Sequence, residues 1–124
     1  MRHLETVKRY FDCWLTKEAE ALPEIFAEDA VYTECYGPQY RGLVQIQRWF
    51  WDWNKRGEVL CWEIKDALDG EDTLCVEWYF ACCYDGNRDG FDGVSWIEFD
   101  EQGRITALRE FQSKAEHIHP YGLK

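Results

Sequence analysis

The sequence predicts an α+β fold, with three N-terminal helices gathered on one face of a curved antiparallel sheet. Two observations carry this. The first 56 residues hold three stretches with apolar residues at helical spacing, interrupted by one short β-branched run. The remainder alternates apolar and polar residues through four long runs, separated by the turn tracts DGED, DGNRDG and DEQG. Helices first and strands afterwards is the order of an α+β fold, not of alternating α/β units.

The elements follow in order. Over residues 3–17, Leu4, Val7, Phe11, Trp14 and Leu15 fall on one stripe, with Tyr10 at its edge. A shorter helix follows, with Pro23 in its first turn and Leu22, Ile25 and Phe26 on its apolar side. Residues 31–35 read as a strand and GPQYRG as a turn or hinge. Residues 43–56 form the third helix, with Leu43, Ile46, Phe50 and Trp53 on one face and Trp51 pointing elsewhere; basic residues fill its last turn and Gly57 ends it. Strands are expected at 58–68, 73–84, 91–99 and 104–114. No linker or repeat divides the chain, so one domain over 1–124 is expected, with a less ordered tail from about 116.

Composition narrows the function. The formal net charge is -10, which opposes phosphate backbones and anionic lipid surfaces and argues against nucleic acid and membranes as partners. No apolar run approaches the ~20 residues of a membrane span. The N-terminal MRHLETVKRY has no secretory pattern, so a reducing, cytoplasmic setting is expected, with the six cysteines acting as small apolar residues. Cys82-Cys83-Tyr84 has no adjacent histidine, which leaves nucleophilic catalysis unsupported. His117 and His119 are an i, i+2 pair without a third ligand at suitable spacing, so no metal and no other cofactor is expected. Aromatic residues make up 17% of the chain, more than a small core needs, and their natural home is a lined cavity or an interface.

Strand alternation raises two points. Tyr79, Val94 and Trp96 fall on the face opposite Trp78 and Phe80, too aromatic for open water, and this face is expected to form a homodimer. The second point is Glu34, in the run AVYTECYGPQYRG. It shares a side with Tyr32 and Tyr36, opposite Val31, Thr33 and Cys35. Periodicity alone leaves two readings, a solvated carboxylate or one set in a pocket.

In this order of elements, RYFDCWL, IFAEDAVYTECYGPQYRG with the following IQRWF, and GRITALREF together resemble the nuclear-transport-factor-2-like superfamily, which includes SnoaL-like proteins and ketosteroid isomerases. The resemblance spans roughly residues 4–115. It implies a cone, a curved sheet wrapped on the helices with a cavity opening at one end. In the isomerase branch, a helix-one tyrosine donates to the substrate oxygen, a first-strand acid shuttles the proton, and a late-strand carboxylic acid is the second donor. These roles fall on Tyr10, Glu34 and Ser95, so the third position departs from the branch in type.

The resemblance therefore implies Glu34 at the cavity wall, where partial desolvation raises a carboxyl pKa and fits it for acid/base work. Trp14, Phe50, Trp62, Trp78 and Phe80 would enclose a small apolar ligand. Tyr32, Tyr36 and Tyr40 would hold Glu34 or close the mouth. Counting from GRI puts Glu110 and Gln112 on the inner face, unless a bulge turns Arg109 and Phe111 inward instead. The expected activity is cofactor-free isomerisation or cyclisation; the alternative is a ligand-binding or interaction domain of the same fold without turnover.

Overall fold

A computed structural model describes residues 2–123. The expected domain limits at 1 and 124 lie outside the described residues. The elements are α1 (Arg2–Thr16), α2 (Leu22–Ile25), β1 (Phe26–Thr33), β2 (Gln39–Arg41), α3 (Leu43–Asn54), β3 (Gly57–Asp69), β4 (Thr73–Tyr84), β5 (Asn87–Phe99) and β6 (Ile105–Ser113). The fold is α+β, with three helices on a six-stranded sheet of order β2-β1-β6-β5-β4-β3. Its neighbours pair antiparallel except β1 and β6, which run parallel because α3 and the meander separate them in sequence.

Helix α1 buries Val7, Tyr10, Phe11, Cys13 and Trp14; Leu15, expected on the stripe, stays 41% exposed, and Tyr10, expected at its edge, is fully buried. Phe11 stacks on Trp62 of β3 with ring centroids 3.8 Å apart, which seats the helix on the inner sheet face. The helix ends without glycine: Lys17 takes a left-handed conformation and the Glu18 N–H donates back to the Cys13 carbonyl at 3.0 Å. Ile46 and Phe50 bury the core face of α3, and Trp51 is exposed.

Several boundaries differ from the sequence reading. Phe26 leaves the second helix and begins β1, which is longer than the 31–35 strand. Its first half was hidden because Glu28 and Asp29 interrupt the alternation where the register to β6 shifts between Phe26 and Val31. The GPQYRG tract contains strand β2, paired with β1 through Tyr32↔Tyr40. Glu34 itself opens the connecting turn, with its N–H bonded to the Pro38 carbonyl at 2.9 Å. Gly57 does not cap α3; it starts β3 opposite Tyr84, where a Cβ would lie 2.7–2.8 Å from the Tyr84 and Trp53 rings. Only Asp85 and Gly86 form the β4–β5 turn, both at positive φ as a type I′ hairpin requires, so β5 starts at Asn87 instead of 91.

The inner face carries the core. Leu74, Val76 and Trp78 of β4 lie beside Ser95 and Ile97 of β5 and Leu108 of β6, all buried. Gly93 makes room for the large ring: a Cβ there would sit 2.3 Å from the Trp78 ring. Outside, Val94, Trp96 and Phe111 are exposed by 37%, 44% and 56%, and the Arg109 guanidinium lies 5.6 Å from the centre of the Trp96 ring. Residues 114–123 are exposed and form neither helix nor strand. All six cysteines are free thiols; Cys13 and Cys82 are buried and the other four half-buried. Among the described residues no helix is long and apolar enough to cross a membrane.

Candidate functional site

Between the helices and the open end of the sheet lies a cavity of about 670 Å³. Its sheet wall is aromatic. Trp62, Trp78, Phe80 and Phe91 come from three adjacent strands and meet edge to face or tilted, with centroids 5.2–6.4 Å apart. The helix wall is Trp14 of α1 with Trp49 and Trp53 of α3. Trp14 packs against both, at 4.9 and 5.3 Å.

Four carboxyl groups interrupt this apolar lining: Glu34, Asp52, Asp89 and Glu110. Glu110 projects inward from β6 and lines the cavity. The ladder from Glu98↔Ala107 to Asp92↔Ser113 is unbroken, so Arg109 and Phe111 face outward and the inward-bulge alternative falls. Oε2 of Glu110 accepts from the Tyr32 hydroxyl, which accepts in turn from the Tyr10 hydroxyl at 2.8 Å. Burial pushes the Glu110 carboxyl up to about 8, and the Glu34 charge adds to this; donation from Tyr32 and from the Cys35 N–H pulls the other way. Tyr10 and Tyr32 are raised well above the ordinary phenol value by burial and by the Glu110 charge, so they stay neutral donors. The Cys35 thiol beside them is pushed up to about 12 by burial, then by Glu110 and Glu34.

Glu34 lies at the same wall, half-buried. Its carboxyl is raised by burial, with the opposing pull of a 2.7 Å hydrogen bond donated by Tyr40. Tyr40 is fixed by stacking on Trp49, 4.6 Å between centroids and 13° between planes. The pocket position, not the fully solvated one, is therefore where this side chain sits.

The other sequence candidates divide. Trp14, Tyr32, Tyr36, Trp62, Trp78 and Phe80 line the cavity. Tyr10 is fully buried behind Tyr32 and Phe50 is buried against Trp14; neither lines it. Ser95 is also off the wall. It is fully buried, and its Oγ accepts from the Trp78 indole N–H at 2.9 Å. Gln112 is exposed two residues past Glu110, in a separate shallow depression with Asp89 and Lys114. Sequence reasoning missed Trp49, Asp52 and Arg56 and put Trp53 on the core face; all four line the helix side and mouth. Trp49, Asp52 and Trp53 share one face of α3 at i, i+3, i+4 spacing, and Arg56 follows in the turn beyond its end. Among the described residues no group of three His, Cys, Asp or Glu side chains is placed to hold a metal.

A cone of sheet and helices around an apolar, carboxyl-bearing cavity defines the class of protein. The SnoaL-like domain profile matches residues 7–108, and the chain belongs to that family, within the superfamily its sequence resembles. No curated protein matches the sequence. Among solved structures it is similar to a hypothetical protein with a ketosteroid isomerase-like fold from Catenulispora acidiphila DSM 44928, in complex with trimethylamine. That match has 19% identity and a TM-score of 0.77, and covers 90% of this chain and 86% of the other. An LEH-like epoxide hydrolase from M. tuberculosis matches with 17% identity and a TM-score of 0.80, covering 90% and 83%. A protein of unknown function with a cystatin-like fold from Xanthomonas campestris matches with 16% identity and a TM-score of 0.75, covering 92% of each chain. At these identities the likeness is one of fold.

Proposed function

We propose that the protein binds a small, largely apolar molecule in this cavity and moves a proton on it without a cofactor, in an isomerisation or cyclisation. The observation that carries the reading is the pair Glu34 and Glu110, two carboxyls in an aromatic wall, both raised by burial. A carboxyl near 8 is mostly protonated at neutral pH, yet ionises within reach of it, which suits one group to act as acid and then base. Glu110 is the main proton carrier in this reading. Tyr32 donates to its Oε2, and the Tyr10–Tyr32 chain steadies the ionised form. Glu34, held by Tyr40, is the second acid/base group.

One observation favours binding without turnover. Tyr10 and Ser95, the two donors the isomerase comparison supplies, are both withdrawn from the wall. The deciding experiment is a thermal-shift screen of phenols, quinones, steroids and lactones on wild type, Glu34→Gln and Glu110→Gln, followed by product analysis on each hit. A ligand bound only by the folded state raises stability by about 2.7 kcal/mol at a hundredfold excess over its Kd. Proton-transfer chemistry requires turnover that Glu110→Gln abolishes while binding persists. Binding with no product from any hit selects the non-catalytic reading.

We also propose a homodimer through the outer sheet face around Tyr79, Val94 and Trp96. Its support is the exposed apolar surface of Val94 and Trp96, continued by Phe111. A cytoplasmic setting is proposed on the same footing, supported by six unbridged thiols.

A further inference from the structure

We infer that the ligand is a small organic ammonium ion, an apolar body with a tertiary or quaternary cationic nitrogen, held by aromatic faces among carboxyl groups. The inference rests on the cavity being the ligand site, as proposed above, and names the chemistry of what enters it. Four carboxyl side chains line the cavity: Glu34 and Glu110 at the wall, Asp52 and Asp89 towards the mouth. Asp52 is partly engaged, with Lys55 at 3.8 Å and Arg48 at 4.0 Å. Arg56 is the only basic residue among the lining residues, and it is already committed. Its Nε donates to Asp85 at 3.0 Å, a second guanidinium nitrogen donates to the same carboxylate, and its plane lies 5.4 Å from the centre of the Tyr84 ring.

An anion entering this cavity would meet net negative charge in a poorly solvated space. A neutral acceptor would find the Tyr32 and Tyr40 hydroxyls already donating to Glu110 and Glu34, and would be left with the unpartnered Trp62 indole N–H and the protonated Glu110 itself. A cation gains from both components of the wall, from carboxylates by charge and from indole and phenol faces by their quadrupoles. The chain itself makes this arrangement at the mouth, where Arg56 sits between the Tyr84 ring and Asp85. A quaternary ammonium suits an aromatic wall better than a primary amine, because its methyl groups need no hydrogen-bond acceptors.

The inference carries a proton signature. The groups facing Glu110 are Tyr32, Glu34 and the Cys35 N–H from β1 and the turn after it, with Tyr10 of α1 behind Tyr32. Tyr40 of β2 lies within its field, and Asp89 of β5 lines the same cavity. None of these is a cation, so a bound ammonium would be the positive charge that ionises Glu110 and sends its proton to solvent. A neutral ligand accepting a hydrogen bond would do the reverse and hold the proton on.

The test uses phenyltrimethylammonium and its uncharged isostere tert-butylbenzene, titrated into the whole protein by calorimetry and tryptophan fluorescence at pH 6.5 and 9. Repeating each titration in two buffers of different ionisation enthalpy counts protons. We expect the cation to bind about tenfold more tightly than the isostere. Its affinity should rise with pH, by up to about thirtyfold over this range if only ionised Glu110 accepts it, with release of up to one proton at the lower pH. In Glu110→Gln the proton release should vanish. Equal or tighter binding of the isostere overturns the ammonium assignment and leaves the proton-transfer reading to its own screen. So does cation binding that weakens as pH rises. Failure of both probes to bind also overturns the assignment, while a hit in the neutral-ligand screen would still uphold the cavity.

Discussion

Replacing Glu110 by Gln should flatten the pH dependence of stability, by an amount the structure sets. The folded carboxyl titrates at about 8 against the ordinary 4.5. Below pH 4.5 it is protonated in folded and unfolded chains alike, and its burial carries no ionisation penalty. Between these values the unfolded chain releases the proton and the folded chain keeps it, so each pH unit favours unfolding by about 1.4 kcal/mol. Above about 8 both forms are ionised and the penalty stays constant. Across the window the penalty reaches about 5 kcal/mol, on the order of 15 °C in Tm for a domain of this size. Glutamine keeps the shape and the carbonyl oxygen for Tyr32 but cannot ionise. The variant's Tm, minus that of wild type, should therefore be small at pH 5, grow steadily in the variant's favour, and level off above pH 8. Other titrating groups are common to both proteins, so scanning calorimetry across this range isolates Glu110 together with its coupling to Glu34. A double variant carrying Glu34→Gln as well would separate the two. Parallel Tm curves from pH 5 to 9, or a variant that loses ground as pH rises, would refute the buried-acid argument.

Three further outcomes are expected. Tyr32→Phe removes a donor that holds the Glu110 carboxyl down, so its titration midpoint, followed by carbon NMR of labelled glutamate, should climb above the wild-type value; a fall would contradict the assigned hydrogen bond. Gly93→Ala puts a methyl 2.3 Å from the Trp78 ring and 2.6 Å from the Phe111 carbonyl oxygen, and urea unfolding should show a loss of about 1–3 kcal/mol. Trp96→Lys places a charge in the exposed outer-face patch; sedimentation velocity should find wild type dimeric and this variant monomeric, and a wild type that stays monomeric at high concentration would rule the dimer out.

Much of the fold was legible because periodicity is a local property. The α1 stripe, the α3 core face and the long strands of the meander are each set by residues a few places apart. What escaped was set by partners far away. Glu28 and Asp29 look like a break in strand sequence, and only the register shift against β6 accommodates them. Gly57 looks like a helix stop, but it starts β3 where the Trp53 and Tyr84 rings close over it. DGNRDG looks like a six-residue turn, yet Asp85 and Gly86 at positive φ suffice and the remaining four residues extend β5.

The site shows the same limit in a sharper form. Alternation assigns a side of the sheet; it does not say how far along the strand the cavity extends, nor what lies over a side chain. Glu110 and Gln112 share a side, but only Glu110 lines the main cavity. Ser95 has the inward side too, and the Trp78 indole takes its hydroxyl. Tyr10 is on the expected helix, with Tyr32 between it and the cavity. These displacements are connected. Tyr32 stands between the Tyr10 hydroxyl and the wall, and it hands that hydrogen-bond chain on to Glu110. The isomerase comparison gives Tyr10 and Glu34 separate roles on a substrate; the hydrogen-bonded phenol and carboxyl at this wall are Tyr32 and Glu110. Burial and coupling make β6, not β1, the strand whose carboxyl should be mutated first.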